Sequence, residues 1–317
     1  MKNAIINGTG SYLPEQSISN HDLESKLDTS HEWIFSRTGI ASRHIAAEHE
    51  TTSFMACQAA IKAIEASDID ANELDLILVA TCTPDLFFPG MACFVQNALK
   101  ITKPIPAFDV GAACSGFVYA MDIAKQYINN GTAKHVLVIG SESMSRALDW
   151  ADRSTCVLFG DGAGALVLSA SDRPGILASS IHAMHDKENF LTYPNFKADG
   201  SKAFISMRGN EVFKLAVNIM GEIVDEVLEC CHLQKSDINW LIPHQANIRI
   251  IQAIAKKLNL PMSQVIVTIE KQGNTSAASI PLALDYSIRE QRVKRGDLLL
   301  IESFGGGMTW GALVVRY

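Results

Sequence analysis

The sequence predicts an α/β protein built from two related halves. Three observations support this: apolar strands alternate with amphipathic helices, the strands are apolar on both faces, and the element order of the first half returns in the second. Strands of this kind are typical of a buried parallel or mixed sheet covered by helices. The 317 residues suffice for roughly two domain-sized units or one large α/β body.

The elements of the first half follow one another through short connections. The periodicity predicts helices over Met55–Ala66 and about Ser115–Asn129, and strands over Leu74–Thr81, Ala107–Val110 and His135–Gly140. The glycines of Phe159–Ala165 are interpreted as a hairpin turn rather than a phosphate loop. The reason is that a strand pattern follows them and a helix pattern does not.

The second half repeats this order. A shift of 164 residues places Ala60–Val79 over Val224–Pro243, and a shift of 162 places Val136–Ile139 over Leu298–Ile301. Chance similarity between two α/β halves is the alternative. A duplicated unit is favoured because the apolar phase holds across both elements. We predict an N-terminal half over residues 1–172 and a C-terminal half over residues 173–317.

Composition and charge exclude several classes of protein. The net charge of −7 argues against a general binder of nucleic acid or membrane surfaces. No apolar run reaches the roughly 18 residues that a membrane span needs. The first residues lack the features of a signal peptide, so we expect a cytoplasmic protein. The seven scattered cysteines predict neither a disulfide framework nor a metal site.

Cys114 is the first candidate for chemistry. It follows the strand Ala107–Val110 and precedes an amphipathic helix, so it falls at a strand-to-helix turn near the positive end of a helix dipole. This position lowers the pKa of a thiol and can direct it outward as a nucleophile. The alternative is a buried structural cysteine, which is a common role. The motif alone leaves both readings open.

Three further positions are weaker by themselves. His244 follows the strand Trp240–Ile242, at the end where open α/β sheets bind ligands, although a histidine at a helix start is the alternative. Asn274 in its Gly-Asn-Thr-Ser stretch suits a turn or a helix cap. The three glycines after Phe304 let a backbone approach a ligand and expose N–H groups, or they form a flexible hairpin loop.

The repeat joins these positions. Cys114 shifted by 162 reaches residue 276, beside Asn274, so both fall at the same strand-to-helix junction of the two halves. His244 ends the counterpart of the strand that ends near Ala80. The glycine loop follows the counterpart of Val136–Ile139. We therefore expect all of them to meet where the halves join.

Together these motifs resemble the β-ketoacyl-acyl-carrier-protein synthase III family, the initiating condensing enzymes of bacterial fatty-acid synthesis in the thiolase-like superfamily. The segments that carry the resemblance are Ala113–Phe117, Pro243–Asn247, Gly273–Ser276 and Gly305–Gly307, with Glu32–Ile40 and Phe159–Ala163 in support. The resemblance covers essentially the whole chain. It implies a thiolase-like five-layered αβαβα fold built from two pseudo-symmetric halves, and a homodimer.

The resemblance implies chemistry in two stages, with no metal and no cofactor, since the CoA thioester is a substrate. Cys114 would take the acyl group from acyl-CoA. The N–H groups of Cys114 and Gly306 would form the oxyanion hole. Malonyl-acyl carrier protein would then lose carbon dioxide. His244 and Asn274 would donate hydrogen bonds to the enolate that attacks the acyl group.

The resemblance also assigns substrate-binding residues. Trp33 and Arg153 would sandwich the adenine of CoA, with Arg37, Thr38 and Asn247 along its path. Ser154 stands where close relatives commonly have glycine, which puts the adenine contact in question but not the chemistry.

Phe88 would cap the acyl pocket from the neighbouring subunit. A large aromatic side chain there favours a short primer, so acetyl-CoA is the first choice.

The acyl carrier protein is the expected protein partner. Carrier proteins are acidic and this chain is negative, so a local basic patch must overcome the repulsion. Arg249, Lys256 and Lys257 fall on one face of the helix after His244 and are predicted to supply it. An ordinary solvated helix face is the alternative.

Two other functions share part of this pattern. One is a synthase III-like acyltransferase of specialised metabolism. The other is a non-catalytic acyl-CoA-binding paralogue, against which the intact Cys114, His244 and Asn274 argue.

Overall fold

The computed structural model describes residues 2–194 and 200–317. Its strands are β1 Asn3–Tyr12, β2 Ser17–Ser19, β3 Ser42–His44, β4 Leu76–Ala80, β5 Ala107–Val110, β6 His135–Ser143, β7 Asp161–Ser171, β8 Ile176–Ala183, β9 Leu191–Thr192, β10 Ser206–Met207, β11 Trp240–Pro243, β12 Leu298–Gly305 and β13 Thr309–Arg316. Its α-helices are α1 Asn20–Glu24, α2 His31–Thr38, α3 Thr52–Ser67, α4 Met91–Ala98, α5 Gly116–Asn129, α6 Gly209–Cys230, α7 Ile248–Lys257, α8 Ile269–Gln272 and α9 Ser279–Arg289.

Two large sheets have matching strand orders. The first runs β1-β7-β6-β4-β5 and the second β8-β13-β12-β11. In the first sheet β7 is antiparallel to both β1 and β6, and in the second sheet β13 is antiparallel to both β8 and β12. The remaining neighbours are parallel: β6 with β4, β4 with β5, and β12 with β11. Val265 takes the place of β5 in the second sheet, through a parallel bridge to Leu241. The structure therefore contains the two related halves that the sequence predicts.

Helices form three layers around the two sheets. α5 and α9 lie between the sheets and contact strands of both. α3 and α4 cover the outer face of the first sheet, and α6 covers the outer face of the second with α7 packed against it. Phe117 and Ile280, from the two central helices, belong to one buried apolar cluster. The layers follow the order α-β-α-β-α, which is the predicted five-layered arrangement.

Most predicted elements lie close to the observed ones, but the hairpin turn at Phe159–Ala165 was wrong. β7 already begins at Asp161, so Gly162 and Gly164 lie inside a strand. A Cβ on Gly164 would be 2.7 Å from the backbone nitrogen of Leu282 in α9. These glycines therefore allow a strand and a central helix to pack closely and do not reverse the chain.

The predicted division of the chain at residue 172 falls in the connection between β7 and β8, and it stays a prediction. Within residues 2–194 and 200–317, none of the helices combines the length and the apolar character that crossing a bilayer requires.

Candidate active site

Two equivalent turns meet between the halves. The 3-10 turn Ala113–Ser115 leads into α5, the 3-10 turn Ser276–Ala278 leads into α9, and the two turns contact each other. The first residue of each turn has a positive φ, 45° at Ala113 and 49° at Ser276. Such backbone angles are costly for a residue with a side chain and persist only where the surroundings enforce them. The bounds of the two turns differ by 163 residues, which pairs Cys114 with Ala277, one residue away from the pairing that the shift of 162 gave from the sequence.

The β12–β13 hairpin fixes the loop of Cys114. Ser303 Oγ donates to the carbonyl of Cys114 at 2.8 Å, and Thr309 Oγ1 donates to the carbonyl of Ala112 at 3.0 Å. A Cβ on Gly305 would be 2.9 Å from the backbone nitrogen of Cys114, so only glycine permits this approach. Gly306 follows directly, in the turn between the two strands.

Burial sets the protonation state of the nucleophile. Cys114 is a buried residue, and desolvation raises the pKa of its thiol to about 11, against a smaller lowering by the side chain of Ser276. The expected lowering of the thiol pKa by the helix dipole was therefore wrong, because desolvation disfavours the thiolate more strongly. The Cys114 thiol is therefore protonated at neutral pH.

His244 is held by its backbone and by one ring nitrogen. Its N–H donates to the carbonyl of Glu302 at 2.9 Å, and its Nδ1 lies 2.6 Å from Ser279 Oγ. Burial lowers the pKa of the imidazole to about 4, so His244 is neutral at neutral pH. The buried side chain of Gln245 braces the same loop, since its amide donates to the carbonyls of Pro243 and Ile266.

Asn274 forms a turn and also presents a donor. Its backbone pairs with Leu158 and Gly160 of the first half, at 2.9 and 3.0 Å. Its Oδ1 accepts from the backbone nitrogen of Ser276 at 2.9 Å, so the turn role weighed from the sequence is present. Because Oδ1 is engaged, the NH₂ group is the part of the amide left for a ligand.

A cavity of about 450 Å³ unites these residues. Cys114, His244 and Asn274 all line it, which confirms that the sequence positions converge. The residues predicted to bind CoA line the same cavity: Trp33, Arg37, Thr38, Arg153 and Asn247.

Trp33 stacks with two cations in this cavity. The guanidinium carbons of Arg37 and Arg153 lie 4.6 and 5.1 Å from its ring centroid. Arg153 also donates to the carbonyl of Asp28. An aromatic face flanked by arginines suits a nucleotide base and its phosphates.

Two of the predicted CoA residues already use their polar groups within the protein. Thr38 Oγ1 donates to the carbonyl of Ile34 at 2.7 Å, and Asn247 Oδ1 accepts from the nitrogen of Arg249 at 2.8 Å as the N-cap of α7. They shape the wall of the cavity through these bonds. A ligand would therefore contact mainly the surface that these two residues contribute to the cavity wall.

Phe88 is a predicted residue that the cavity lining does not include. It is 85% exposed, beside Phe87 at 80%.

Lys257, one of the three residues predicted to dock the carrier protein, also makes contacts within the protein. Its Nζ donates to the carbonyls of Asn218 and Val217 in α6, at 3.0 and 3.4 Å. Lys257 therefore ties α7 to α6, although it is exposed like Arg249 and Lys256, and the docking role of the three residues stays a prediction. The helix period correctly placed the three residues on one face but could not show that α6 packs against part of it.

Two buried carboxyl groups near the site were not anticipated. Glu302 lines the cavity, is 1% exposed and has an Oε2 without a hydrogen-bond partner among the described residues. Burial raises its pKa to about 8. Glu142 accepts from Thr83 Oγ1 at 2.5 Å and from Cys82 Sγ at 3.1 Å, and burial raises its pKa as well. An acidic residue at the end of an apolar strand was the signal that could have found both.

Comparison with known proteins decides the family. The model described as 3-oxoacyl-[acyl-carrier-protein] synthase III matches residues 108–184, and the model of its C-terminal part matches residues 228–317. The β-ketoacyl-[acyl-carrier-protein] synthase III of Alkalilimnicola ehrlichii is 54% identical, with 100% of both chains covered. The chain belongs to the synthase III family. It is therefore a condensing acyltransferase, and the resemblance read from its motifs is confirmed.

Solved structures of synthase III relatives agree with the fold. The crystal structure of 3-oxoacyl-[acyl-carrier-protein] synthase III from Aquifex aeolicus superimposes with a TM-score of 0.94 at 51% identity, covering 99% of this chain and 100% of the other. A priming β-ketosynthase of a polyketide biosynthetic pathway superimposes with the same TM-score at 35% identity, covering 99% and 96%. The thiolase-like fold is thus shared with synthases of more than one biosynthetic context.

Because the Cys114 thiol is protonated, its reactivity should depend on pH. We expect alkylation of Cys114 by iodoacetamide to accelerate about tenfold per pH unit between about pH 7 and pH 9, because only the thiolate reacts and the thiol pKa lies above this range. Intact-mass measurement after timed exposure gives the rate. Cys114→Ala supplies the background from the exposed Cys93 and Cys230. A rate already constant from about pH 7 upward would show that the helix dipole, and not burial, sets the thiol pKa.

Proposed function

We propose that the enzyme condenses an acyl-CoA primer, with acetyl-CoA preferred, with malonyl-acyl carrier protein in the cytoplasm. The products are a 3-oxoacyl-acyl carrier protein, CoA and carbon dioxide, so the reaction starts type II fatty-acid synthesis. The observation that carries the proposal is the convergence of Cys114, His244 and Asn274 on the cavity whose wall includes Trp33 and Arg153.

The first stage transfers the acyl group to Cys114. Sγ bonds to the carbonyl carbon, the bond between that carbon and the CoA sulfur breaks, and the thiol proton leaves with CoA. The backbone N–H groups of Cys114 and Gly306 would stabilise the oxyanion, since backbone donors fixed in advance do not reorganise during the reaction. For adenine to stack on Trp33, the guanidinium of Arg153 must withdraw from the ring and cover the other face of the base.

The second stage forms the carbon–carbon bond. The electron pair of the bond to the malonyl carboxylate stays on the thioester as an enolate when carbon dioxide leaves. The neutral imidazole of His244 and the amide of Asn274 would donate hydrogen bonds to its oxygen. The enolate carbon then attacks the acyl carbonyl. Cys114 leaves as a thiolate and regains a proton from solvent.

A second candidate is priming in a specialised pathway. The polyketide priming ketosynthase, which superimposes along nearly all of this chain, favours keeping it. Turnover of the acyl-enzyme with malonyl-acyl carrier protein, compared with turnover by other acceptors, separates the two candidates.

The two stages depend on different residues, which gives a direct test. We expect Cys114→Ala to abolish acyl-enzyme formation, measured by intact mass after incubation with a panel of acyl-CoAs. His244→Ala and Asn274→Ala should keep that mass shift, but their release of carbon dioxide from malonyl-acyl carrier protein should fall on the order of 10²-fold or more. Equal loss of both stages in the two variants would contradict this division, and the panel identifies the preferred primer in the same experiment.

Charge on α7 supports a docking site for the carrier protein. Arg249 lines the cavity, and Lys256 is exposed on the same face of the helix, about two turns further along. An acidic carrier protein bound there would deliver its thioester beside His244. Lys257 is exposed as well, but its Nζ already donates to α6, so Arg249 and Lys256 are the cations of the patch without that tie.

We expect Arg249→Glu combined with Lys256→Glu to raise KM for malonyl-acyl carrier protein at least about tenfold at low salt and less at high salt. Acylation by acetyl-CoA should change much less. Lys134→Glu with Arg173→Glu, two exposed residues at the opposite end of the first sheet, makes the same change in net charge and serves as the control. If the control pair raises KM equally, the effect is long-range repulsion and the docking site lies elsewhere.

Exposed aromatic residues support a homodimer. Leu86, Phe87 and Phe88 form an apolar run with exposures of 49%, 80% and 85%. A soluble chain rarely leaves such a run uncovered. We propose that a second copy covers it and that Phe88 caps the acyl pocket of that copy.

Light scattering should therefore give twice the 34.5 kDa of one chain. Phe88→Ala should extend the accepted primers to longer acyl chains without reducing acylation by acetyl-CoA more than about twofold. A monomeric mass, or an unchanged primer range in a dimeric Phe88→Ala variant, would contradict this role of Phe88.

A further inference from the structure

Ser279 pairs with the catalytic histidine in a way that the established motifs do not include. It is the first residue of α9 and is 1% exposed, and its Oγ lies 2.6 Å from His244 Nδ1. The other ring nitrogen, Nε2, has no hydrogen-bond partner among the described residues, and His244 lines the cavity. The two nitrogens therefore face different surroundings, one toward α9 and one toward the ligand.

The hydrogen-bond pattern around Ser279 decides which nitrogen carries the proton. The backbone N–H of Gln245 also points at Ser279 Oγ, at 3.4 Å, so this oxygen already accepts one hydrogen bond. A hydroxyl has a single proton to give, and a buried one needs an acceptor. Among the described residues, His244 Nδ1 is the acceptor within reach. The opposite assignment, with Nδ1 donating to Ser279, would leave the serine proton buried without a partner.

We propose that Ser279 is a positioning residue that donates its hydroxyl proton to His244 Nδ1 and thereby fixes the tautomer with hydrogen on Nε2. In that tautomer the histidine is neutral and still presents an N–H group to the cavity. This is the group that the decarboxylation stage needs beside Asn274, so the inference rests on the proposed function of His244 as an enolate donor. What it adds is that Ser279 is the residue that lets the neutral ring of His244 donate a hydrogen bond into the cavity.

The duplicated fold supplies an internal comparison. α5 begins at Gly116 where α9 begins at Ser279, and each follows a 3-10 turn with the same positive φ at its first residue. A serine is therefore not required to build this junction. The hydroxyl appears only in the half that carries the histidine. Ser287, on the same helix, shows the ordinary behaviour of a helical serine, since its Oγ donates to the carbonyl of Leu284 at 2.8 Å.

The test begins with wild-type enzyme, which needs no variant to fold. Nitrogen-15 spectra of histidine-labelled enzyme distinguish protonated from unprotonated ring nitrogens, and the His244 signals among the nine histidines are those missing from His244→Gln. We expect a neutral ring with hydrogen on Nε2. Hydrogen on Nδ1 would overturn the proposal outright.

Substitution then connects the tautomer with the reaction. In Ser279→Ala we expect the Nδ1–H form to appear, and kcat for condensation to fall at least about tenfold, while KM for malonyl-acyl carrier protein and acylation of Cys114 stay within roughly twofold. Ser279→Thr keeps the hydroxyl and should restore the tautomer and most of kcat. Ser287→Ala, equally buried on α9, should change neither.

The outcomes separate this inference from the proposed function. An unchanged tautomer and unchanged kcat in Ser279→Ala would overturn the positioning role. A changed tautomer with full decarboxylation would uphold the pairing of Ser279 with His244 but overturn the enolate-donor role of His244.

Discussion

The contact between the turns Ala113–Ser115 and Ser276–Ala278 is the interaction on which the site depends. It brings Cys114 of one half to the cavity that His244 and Asn274 of the other half also line, and it requires strands without side chains at the points of approach. A Cβ on Gly140 of β6 would be 2.3 Å from the carbonyl oxygen of Ala277, and one on Gly305 would be 2.9 Å from the nitrogen of Cys114. Any larger residue there would push the halves apart and separate Cys114 from His244 and Asn274.

The same close packing sets the electrostatics of the cavity. Desolvation holds Cys114 as a thiol and His244 as a neutral ring, and it raises the pKa of Glu302 to about 8, so that this carboxyl group keeps its proton at neutral pH. The catalytic end of the cavity is thus nearly uncharged. In the proposed reaction, a malonyl carboxylate placed there would lose its hydration and gain no cation in exchange, which would destabilise it relative to carbon dioxide and a hydrogen-bonded enolate.

The end of the cavity where we propose that CoA binds has the opposite character. Arg37 and Arg153 flank Trp33, and Arg249 lies at the start of α7. Cations there can hold phosphates and attract an acidic carrier protein without entering the catalytic end. Under the proposed function, one cavity would therefore use charge at the end that binds the substrates and avoid charge at the end that carries out the chemistry.

How much of the fold and of the site could be predicted from the sequence depends on how far apart in the chain the interacting residues lie. The duplicated order and several of the strands and helices, such as β4, β5, β6, α3 and α5, depend on apolar periodicity, which is local, and they were predicted. The pKa of Cys114, the tie between Lys257 and α6, and the approach of Gly164 to Leu282 depend on segments far apart in the chain. The sequence could not show these three features, because a residue type and its neighbours in sequence do not reveal what packs against it.

Duplication explains why the sequence around Ala277 and Ser279 did not single these residues out. The two junctions share a positive φ, a 3-10 turn and a helix start. The same backbone conformation therefore occurs in both halves. The two junctions then differ only in the side chains at equivalent positions. When the halves are aligned, Cys114 corresponds to Ala277, and Gly116 corresponds to Ser279. A small residue at Ala277 leaves the space that a second nucleophile would fill. A hydroxyl at Ser279 serves the histidine that only one half possesses. The asymmetry between equivalent positions therefore marks functional residues in this fold, even where a serine or an alanine alone would pass as ordinary packing.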